Sequence, residues 1–135
     1  MLLGLINAGS AHACSCAVTA PGELLARADA AISGRLLSVE AHGATRAVYR
    51  YEVLHVYRGR GAIKPGSTLA VFSPRGSAAC GLPEQVGRSY GLFLLGRPGR
   101  WLGGLCAVVS PRRLGAVARR SHAGQDAGSL ASCAS

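Results

Sequence analysis

The sequence has few aromatic residues, few acidic residues and no long apolar run. Its 135 residues include two Phe, one Trp and four Tyr, so the hydrophobic core that it can bury is small. We therefore expect additional stabilisation, such as cross-links. Its longest apolar run, at residues 90–95, is interrupted by Gly91 and is far shorter than the roughly 18 residues of a transmembrane helix. We therefore expect no membrane span.

Lysine is nearly absent too, since Lys64 is the only lysine among 15 Lys and Arg residues. The formal net charge is +9, and the arginines are scattered along the chain. A groove for nucleic acid usually combines clustered basic residues with aromatic ones, and no such patch occurs here. We therefore expect no nucleic-acid partner and assign the charge to a solvated surface with an unspecific electrostatic role.

The composition fits one compact domain and a tail. With 49% hydrophobic and 16% charged residues, the chain is not a disordered polymer, and its length suits a single domain. We place that domain at residues 14–120 and expect it to be a monomer. Residues 121–135 are rich in Ser, Ala and Gly, which predicts a disordered tail.

Residues 1–13 resemble an export signal. They carry no acid, an apolar patch and the small-x-small sequence Ala11-His12-Ala13, after which a signal peptidase cleaves. A basic n-region is missing and the apolar patch is short, as in a weak or truncated signal. Cleavage after Ala13 would leave Cys14 as the first residue of a secreted, extracellular chain; the periplasm and the cell surface are the alternatives. A lipoprotein anchored through Cys14 is a further alternative, but the apolar residue expected three positions earlier is absent.

The chain contains five cysteines, Cys14, Cys16, Cys80, Cys106 and Cys133. In an oxidising compartment the four in the domain form disulfides, and a bond between Cys14 and Cys16 would be strained. Two cross-pairings remain open. A C-x-C spacing does not suit zinc, and no C-x-x-C redox motif occurs. Cys133 has no assigned role.

Alternation and turn residues predict a strand-rich domain. The clearest strand covers 47–57, where Tyr49, Tyr51, Val53, His55 and Tyr57 share one face. Further strands are predicted at 30–39, 68–73, 90–95 and 101–109, with short helices at 23–28 and 111–120, the latter opening at Ser110-Pro111. Five strands with peripheral helices predict an all-β, five-stranded barrel of the oligonucleotide/oligosaccharide-binding (OB) type.

The chain resembles the amino-terminal, netrin-like domain of the tissue inhibitors of metalloproteinases over about residues 14–110. The matching pieces are Cys14-Ser15-Cys16-Ala17, the segment 21–30, Tyr57-Arg58-Gly59, Ser77-Ala78-Ala79-Cys80-Gly81, Gly87-Arg88-Ser89-Tyr90 and Leu105-Cys106. The resemblance implies an OB barrel held by two disulfides, Cys14–Cys80 and Cys16–Cys106. A third domain disulfide and a second cysteine-rich domain, both present in those inhibitors, are missing, so the match is to a single-domain, bacterial-type relative.

The resemblance also implies inhibition of zinc metalloendopeptidases. The free α-amine and the carbonyl oxygen of Cys14 would chelate the zinc of the target protease, at the position that its catalytic water occupies. Ser15 would enter the adjoining specificity pocket. The implied inhibitory edge consists of Cys14, Ser15, Cys16, Ala17, Ser77, Ala78 and Ala79. The inhibitor needs no cofactor of its own, because the zinc belongs to the protease.

Two other functions remain as alternatives. One is a secreted netrin-like module that binds a partner without inhibiting a protease. The other is a thiol enzyme, for which Cys80 beside His55 is the candidate pair, but a disulfide at Cys80 would consume the nucleophile. We expect that the protein is not an enzyme.

Overall fold

The computed structural model describes residues 14–132, with side chains to residue 124. The expected export signal at residues 1–13 and Cys133 lie outside the described residues. No helix in the described part of the chain combines the length and apolar character needed to cross a membrane.

Strands dominate the fold and helices lie at its periphery. The elements in chain order are α1 (Pro21–Arg27), β1 (Ala30–His42), β2 (Arg46–Arg58), β3 (Thr68–Pro74), a 3₁₀ turn (Ser77–Ala79), β4 (Ser89–Arg97), β5 (Arg100–Leu102), a second 3₁₀ turn (Leu105–Ala107), β6 (Val108–Val109) and α2 (Pro111–Ser132). The single strand predicted at 101–109 is thus wrong. It is two short strands, because the chain leaves the sheet at Gly103 and Gly104 and makes a 3₁₀ turn.

The sheet closes into a barrel. Its strand order is β1-β2-β3-β5-β4, and β4 pairs with β1 to complete the circle. All of these pairs are antiparallel except β3 with β5. Closure depends on the length of β1, whose first residues pair with β4 while nearly the whole strand pairs with β2. The predicted five-stranded OB-type barrel is confirmed. The two-residue strand β6 pairs antiparallel with β4 in addition.

The barrel interior holds most of the few aromatic residues. Its buried members include Ile32, Leu36, Tyr49, Tyr51, Val53, Val71, Tyr90, Leu92, Leu94 and Trp101. A second apolar layer packs the two helices against the outside of β1 and β4, and it contains Leu25, Ala28, Ala31, Phe93, Leu114 and Val117. The buried apolar residues thus form two small cores, one inside the barrel and one beneath the helices.

A β-bulge in β2 reverses the face on which its side chains lie. Gly34 of β1 pairs with Val53, but its neighbour Ser33 pairs with His55, so β2 carries one extra residue at this point. Beyond it Val56 is buried and His55 is exposed. The prediction that His55 and Tyr57 share one face with Tyr49, Tyr51 and Val53 is therefore wrong, because one inserted residue shifts a period-two pattern to the opposite face.

Helix α2 begins as predicted and ends later. The Ser110 hydroxyl accepts a hydrogen bond from the Arg113 backbone N–H at 3.2 Å, and Pro111 is the first helical residue. This is the expected N-cap with proline at the first position. The helix continues to Ser132 and so includes most of the segment at 121–135 for which composition predicts disorder.

Candidate functional site

Two disulfides bring the amino-terminal segment against two distant loops. Cys14 is bonded to Cys80 across 66 residues with Cα atoms 5.1 Å apart, and Cys16 to Cys106 across 90 residues with Cα atoms 5.3 Å apart. This is the pairing that the resemblance implies. Residues 14–17 have no strand partner, so these bonds are what hold them to the barrel.

The structure therefore gathers the predicted edge residues at one place. Residues 14–17 lie beside the 3₁₀ turn Ser77–Ala79, which immediately precedes Cys80. Ser15, Cys16 and Ala17 are exposed, as is the whole turn. We call residues 14–17 and Ser77–Ala79 the candidate edge. Such an exposed surface is accessible to a partner.

The turn of the candidate edge is rigidly built. The Gly81 N–H donates to the Gly76 carbonyl oxygen at 2.9 Å, and the Cys80 N–H donates to that of Ser77 at 3.2 Å. Cys80 itself adopts a left-handed backbone with φ of 60°. A Cβ at Gly81 would overlap the Pro74 carbonyl oxygen, so only glycine allows the chain to fold back this closely.

Buried polar contacts anchor the same loop to the barrel. The Ser73 hydroxyl, which is 2% exposed, accepts a hydrogen bond from the Leu82 N–H at 3.1 Å. The Tyr49 hydroxyl donates to Glu84 Oε1 at 3.1 Å, and Arg75 Nε lies 3.5 Å from the same oxygen. Burial is the largest cause that raises the pKa of Tyr49, and this hydrogen bond and the charge of Glu84 add to it, so that the pKa is about 12. The loop that carries Ser77–Ala79 is thus fixed at both ends.

The sulfur atoms of the site are clustered. Cys14 Sγ and Cys106 Sγ lie 4.0 Å apart, and with Cys80 Sγ they form a group within 4.8 Å. Three cysteine sulfurs so close together would suit a soft metal only as thiolates. Because all three are disulfide-bonded, the cluster as it stands is a covalent staple.

The pair considered for a thiol enzyme is not assembled. The Cys80 sulfur is bonded to Cys14, and the hydrogen-bond partner of His55 is the Ser33 hydroxyl, 3.2 Å from Nδ1. A disulfide sulfur is not available as a nucleophile. That the protein is not an enzyme stays a prediction.

Sequence reasoning missed the most exposed apolar residue next to the edge. Val18 has a relative exposure of 105% and follows directly after Ala17. This exposure leaves the Val18 side chain accessible to a partner that binds the edge. Its position beside the C-x-C motif is the only sequence signal that marks it. Ser73 and Glu84, the anchors of the loop, carry no such signal.

No protein-family model matches the chain. No curated protein matches it in sequence either. The resemblance to the metalloproteinase inhibitors therefore depends on the short motifs quoted above and on the barrel and disulfides that accompany them.

Proposed function

We propose that this protein is a secreted inhibitor of zinc metalloendopeptidases that acts through the amino terminus of Cys14. The observation that carries the proposal is the Cys14–Cys80 disulfide, which holds Cys14 beside the exposed turn Ser77–Ala79. The two disulfides also favour export, because such bonds persist in oxidising compartments.

The proposed contact begins with a chelate. After cleavage behind Ala13, the α-amine and the carbonyl oxygen of Cys14 form the two arms of a five-membered ring around the zinc of the target protease. That zinc has an open coordination position. Since the disulfide already restricts Cys14, little conformational freedom is lost when the complex forms.

The rest of the edge fills the substrate groove. Ser15 is exposed next to Cys14 and presents its small side chain to the neighbouring pocket, while Ala17 and Val18 extend the contact along the chain. The turn Ser77–Ala79 contributes a second, neighbouring segment. Small side chains at these positions let the backbone approach the protease closely.

Amino-terminal sequencing and inhibition assays with the exported protein test the proposal. The mature chain should begin at Cys14 with a free amine and should inhibit members of a panel of zinc endopeptidases. One alanine added before Cys14 should weaken inhibition about a hundredfold or more, because it converts the α-amine of Cys14 into an amide nitrogen that cannot bind zinc, so the five-membered chelate cannot form. Carbamylation of the α-amine should do the same without lengthening the chain.

As a control, each altered form must be shown to keep the native fold. The added alanine and the carbamyl group should leave the disulfide map and the urea unfolding curve unchanged. Equal potency of the native and extended chains would contradict chelation even if inhibition were observed. Complete absence of inhibition by a chain that begins at Cys14 would favour the netrin-like interaction module.

The pH dependence provides a second test. An α-amine must lose its proton to bind zinc, and it ordinarily titrates just above neutral pH. Inhibition should therefore weaken about tenfold for each pH unit below neutral. The residual inhibition by the alanine-extended chain should not follow this slope.

A further inference from the structure

A basic cleft opens between the outer face of the barrel and the start of α2. It has a volume of about 820 Å³. The side chains that matter for its chemistry are Ser33, His55, Tyr57, Arg112, Arg113 and Arg119. We call this the α2 cleft. It shares no residue with the candidate edge, and nothing in the proposed inhibition uses it.

The bulge in β2 creates the floor of the α2 cleft. Because it turns His55 and Tyr57 away from the barrel interior, both rings face the helix side, stacked with centroids 6.2 Å apart. Ser33, only 1% exposed, lies 3.2 Å from Nδ1 of His55. When the Ser33 hydroxyl donates to Nδ1, the other ring nitrogen of a neutral His55 carries the proton and can donate to a ligand.

Three arginine side chains give the walls of the α2 cleft a positive charge. Arg112, Arg113 and Arg119 all line it, and none of them forms an ion pair with a carboxylate among the residues whose side chains are described. Glu40, Glu52 and Glu84 pair with arginines outside the cleft, at Arg50, Arg35 and Arg75. A ligand with negative charge would therefore meet an excess of cationic donors.

The helix is adapted to the groups that converge in the cleft. Gly115 lies in the second turn of α2, where glycine costs about 1 kcal/mol relative to alanine. A Cβ at this position would lie 3.3 Å from the Tyr57 hydroxyl and 3.5 Å from Nη1 of Arg119. Glycine thus leaves room for a phenol and a guanidinium to approach the same point.

We propose that the α2 cleft binds a phosphate or sulfate group of a small ligand. Guanidinium groups offer several N–H donors in a planar fork that matches such oxyanions. Tyr57 and His55 add further donors, and their stacked rings give an apolar surface for the organic part of an ester. The volume of the cleft lies in the range of small-molecule sites and exceeds what one inorganic ion needs.

Calorimetric titration of the whole exported protein tests this inference. The probes are inorganic phosphate, inorganic sulfate and phenyl phosphate, each compared with sodium chloride at the same ionic strength. We expect saturable binding of the oxyanions, accompanied by NMR shifts at Ser33 and His55. Tighter binding of phenyl phosphate would identify an ester as the natural source of the group, and equal binding of the inorganic ions would identify the free ion; either supports the proposal.

Matched double variants separate the cleft from general charge. Arg112→Gln with Arg119→Gln should weaken oxyanion binding by about tenfold or more, because two charge-assisted contacts are lost. Arg27→Gln with Arg97→Gln removes the same charge from exposed positions outside the cleft and should change binding less than about twofold. All four side chains are exposed, so both variants should fold, which circular dichroism checks. Equal loss in the two variants, or the same heat with chloride, would overturn the proposal.

Discussion

The carbonyl oxygen of Cys80 accepts a hydrogen bond from the backbone N–H of Leu105 at 2.9 Å. Cys80 belongs to one disulfide and Leu105 precedes Cys106 of the other. The two loops that receive the amino-terminal segment are therefore tied to each other as well as to it. Movement of one loop relative to the other is restricted by this backbone contact, so both disulfides hold the candidate edge against one continuous support.

Loss of either disulfide should lower the stability of the domain substantially. In the loop-entropy model, closing loops of 66 and 90 residues contributes on the order of 4 to 5 kcal/mol each. We expect Cys16→Ser with Cys106→Ser, and Cys14→Ser with Cys80→Ser, to reduce the free energy of unfolding by similar amounts. Urea unfolding measures both, and the native chain in reductant should lose more than either. A loss below about 1 kcal/mol would contradict the staple role.

Ser73→Ala should destabilise the loop that carries the turn Ser77–Ala79. The substitution removes the acceptor of the Leu82 N–H in a buried place, and an unsatisfied buried donor costs about 1 to 3 kcal/mol. Urea unfolding should show this loss, and hydrogen exchange at Leu82 should accelerate. Ser38→Ala, in the half-exposed part of β1, is the matched control. Equal losses in the two variants would contradict the anchor.

The stability of the barrel should fall at alkaline pH. Burial raises the pKa of Tyr49 from 10.0 to about 12 and raises that of Tyr51 further. The folded state therefore favours the neutral phenols, so their contribution is complete below pH 10 and is lost as the pH rises from 10 towards 12. Urea unfolding across this range, followed with phenolate absorbance, measures the loss. A constant free energy of unfolding up to pH 12 would contradict it.

Two Tyr→Phe variants should change the free energy of unfolding in different directions. The Tyr51 hydroxyl is buried without a hydrogen-bond partner among the described residues, so Tyr51→Phe should leave stability at pH 7 unchanged or raise it. Tyr49→Phe removes the hydrogen bond to Glu84 and should cost about 1 kcal/mol. The free energies of unfolding of both variants decide the point, and a larger loss for Tyr51→Phe would be inconsistent with this arrangement.

Val18→Ser should weaken protease inhibition without changing stability. Val18 is fully exposed, so its replacement should alter the free energy of unfolding by less than about 0.5 kcal/mol. If a protease buries it, the lost apolar contact corresponds to a rise of roughly tenfold or more in the inhibition constant. Val86→Ser, at another exposed valine (63% exposed) that does not adjoin residues 14–17 in the sequence, is the control. Equal effects on inhibition would remove Val18 from the contact.

Much of the barrel could be predicted from local patterns. The alternation in β2 and the Ser110-Pro111 signal at α2 are short-range features, because side-chain direction and capping depend on neighbouring residues. The bulge between Val53 and His55 could not be predicted, since it is defined by the register against β1. The division of the strand predicted at 101–109 likewise depends on which residues find a neighbouring strand.

In the candidate site too, some residues could be predicted from the sequence and others could not. The C-x-C motif and Ser77-Ala78-Ala79-Cys80-Gly81 mark the edge in the sequence, whereas the anchors Ser73 and Glu84 act through contacts with residues far along the chain.

The sequence by itself determined the strand-rich class, the five cysteines, the scarcity of aromatic residues and the motifs of the candidate edge. These properties follow from residue identity and short spacing. The tertiary structure decided which cysteines pair, that one inserted residue turns His55 towards α2, and that three arginines meet Ser33 in one cleft. Those outcomes depend on strand register and chain closure, which bring together residues that no local pattern relates.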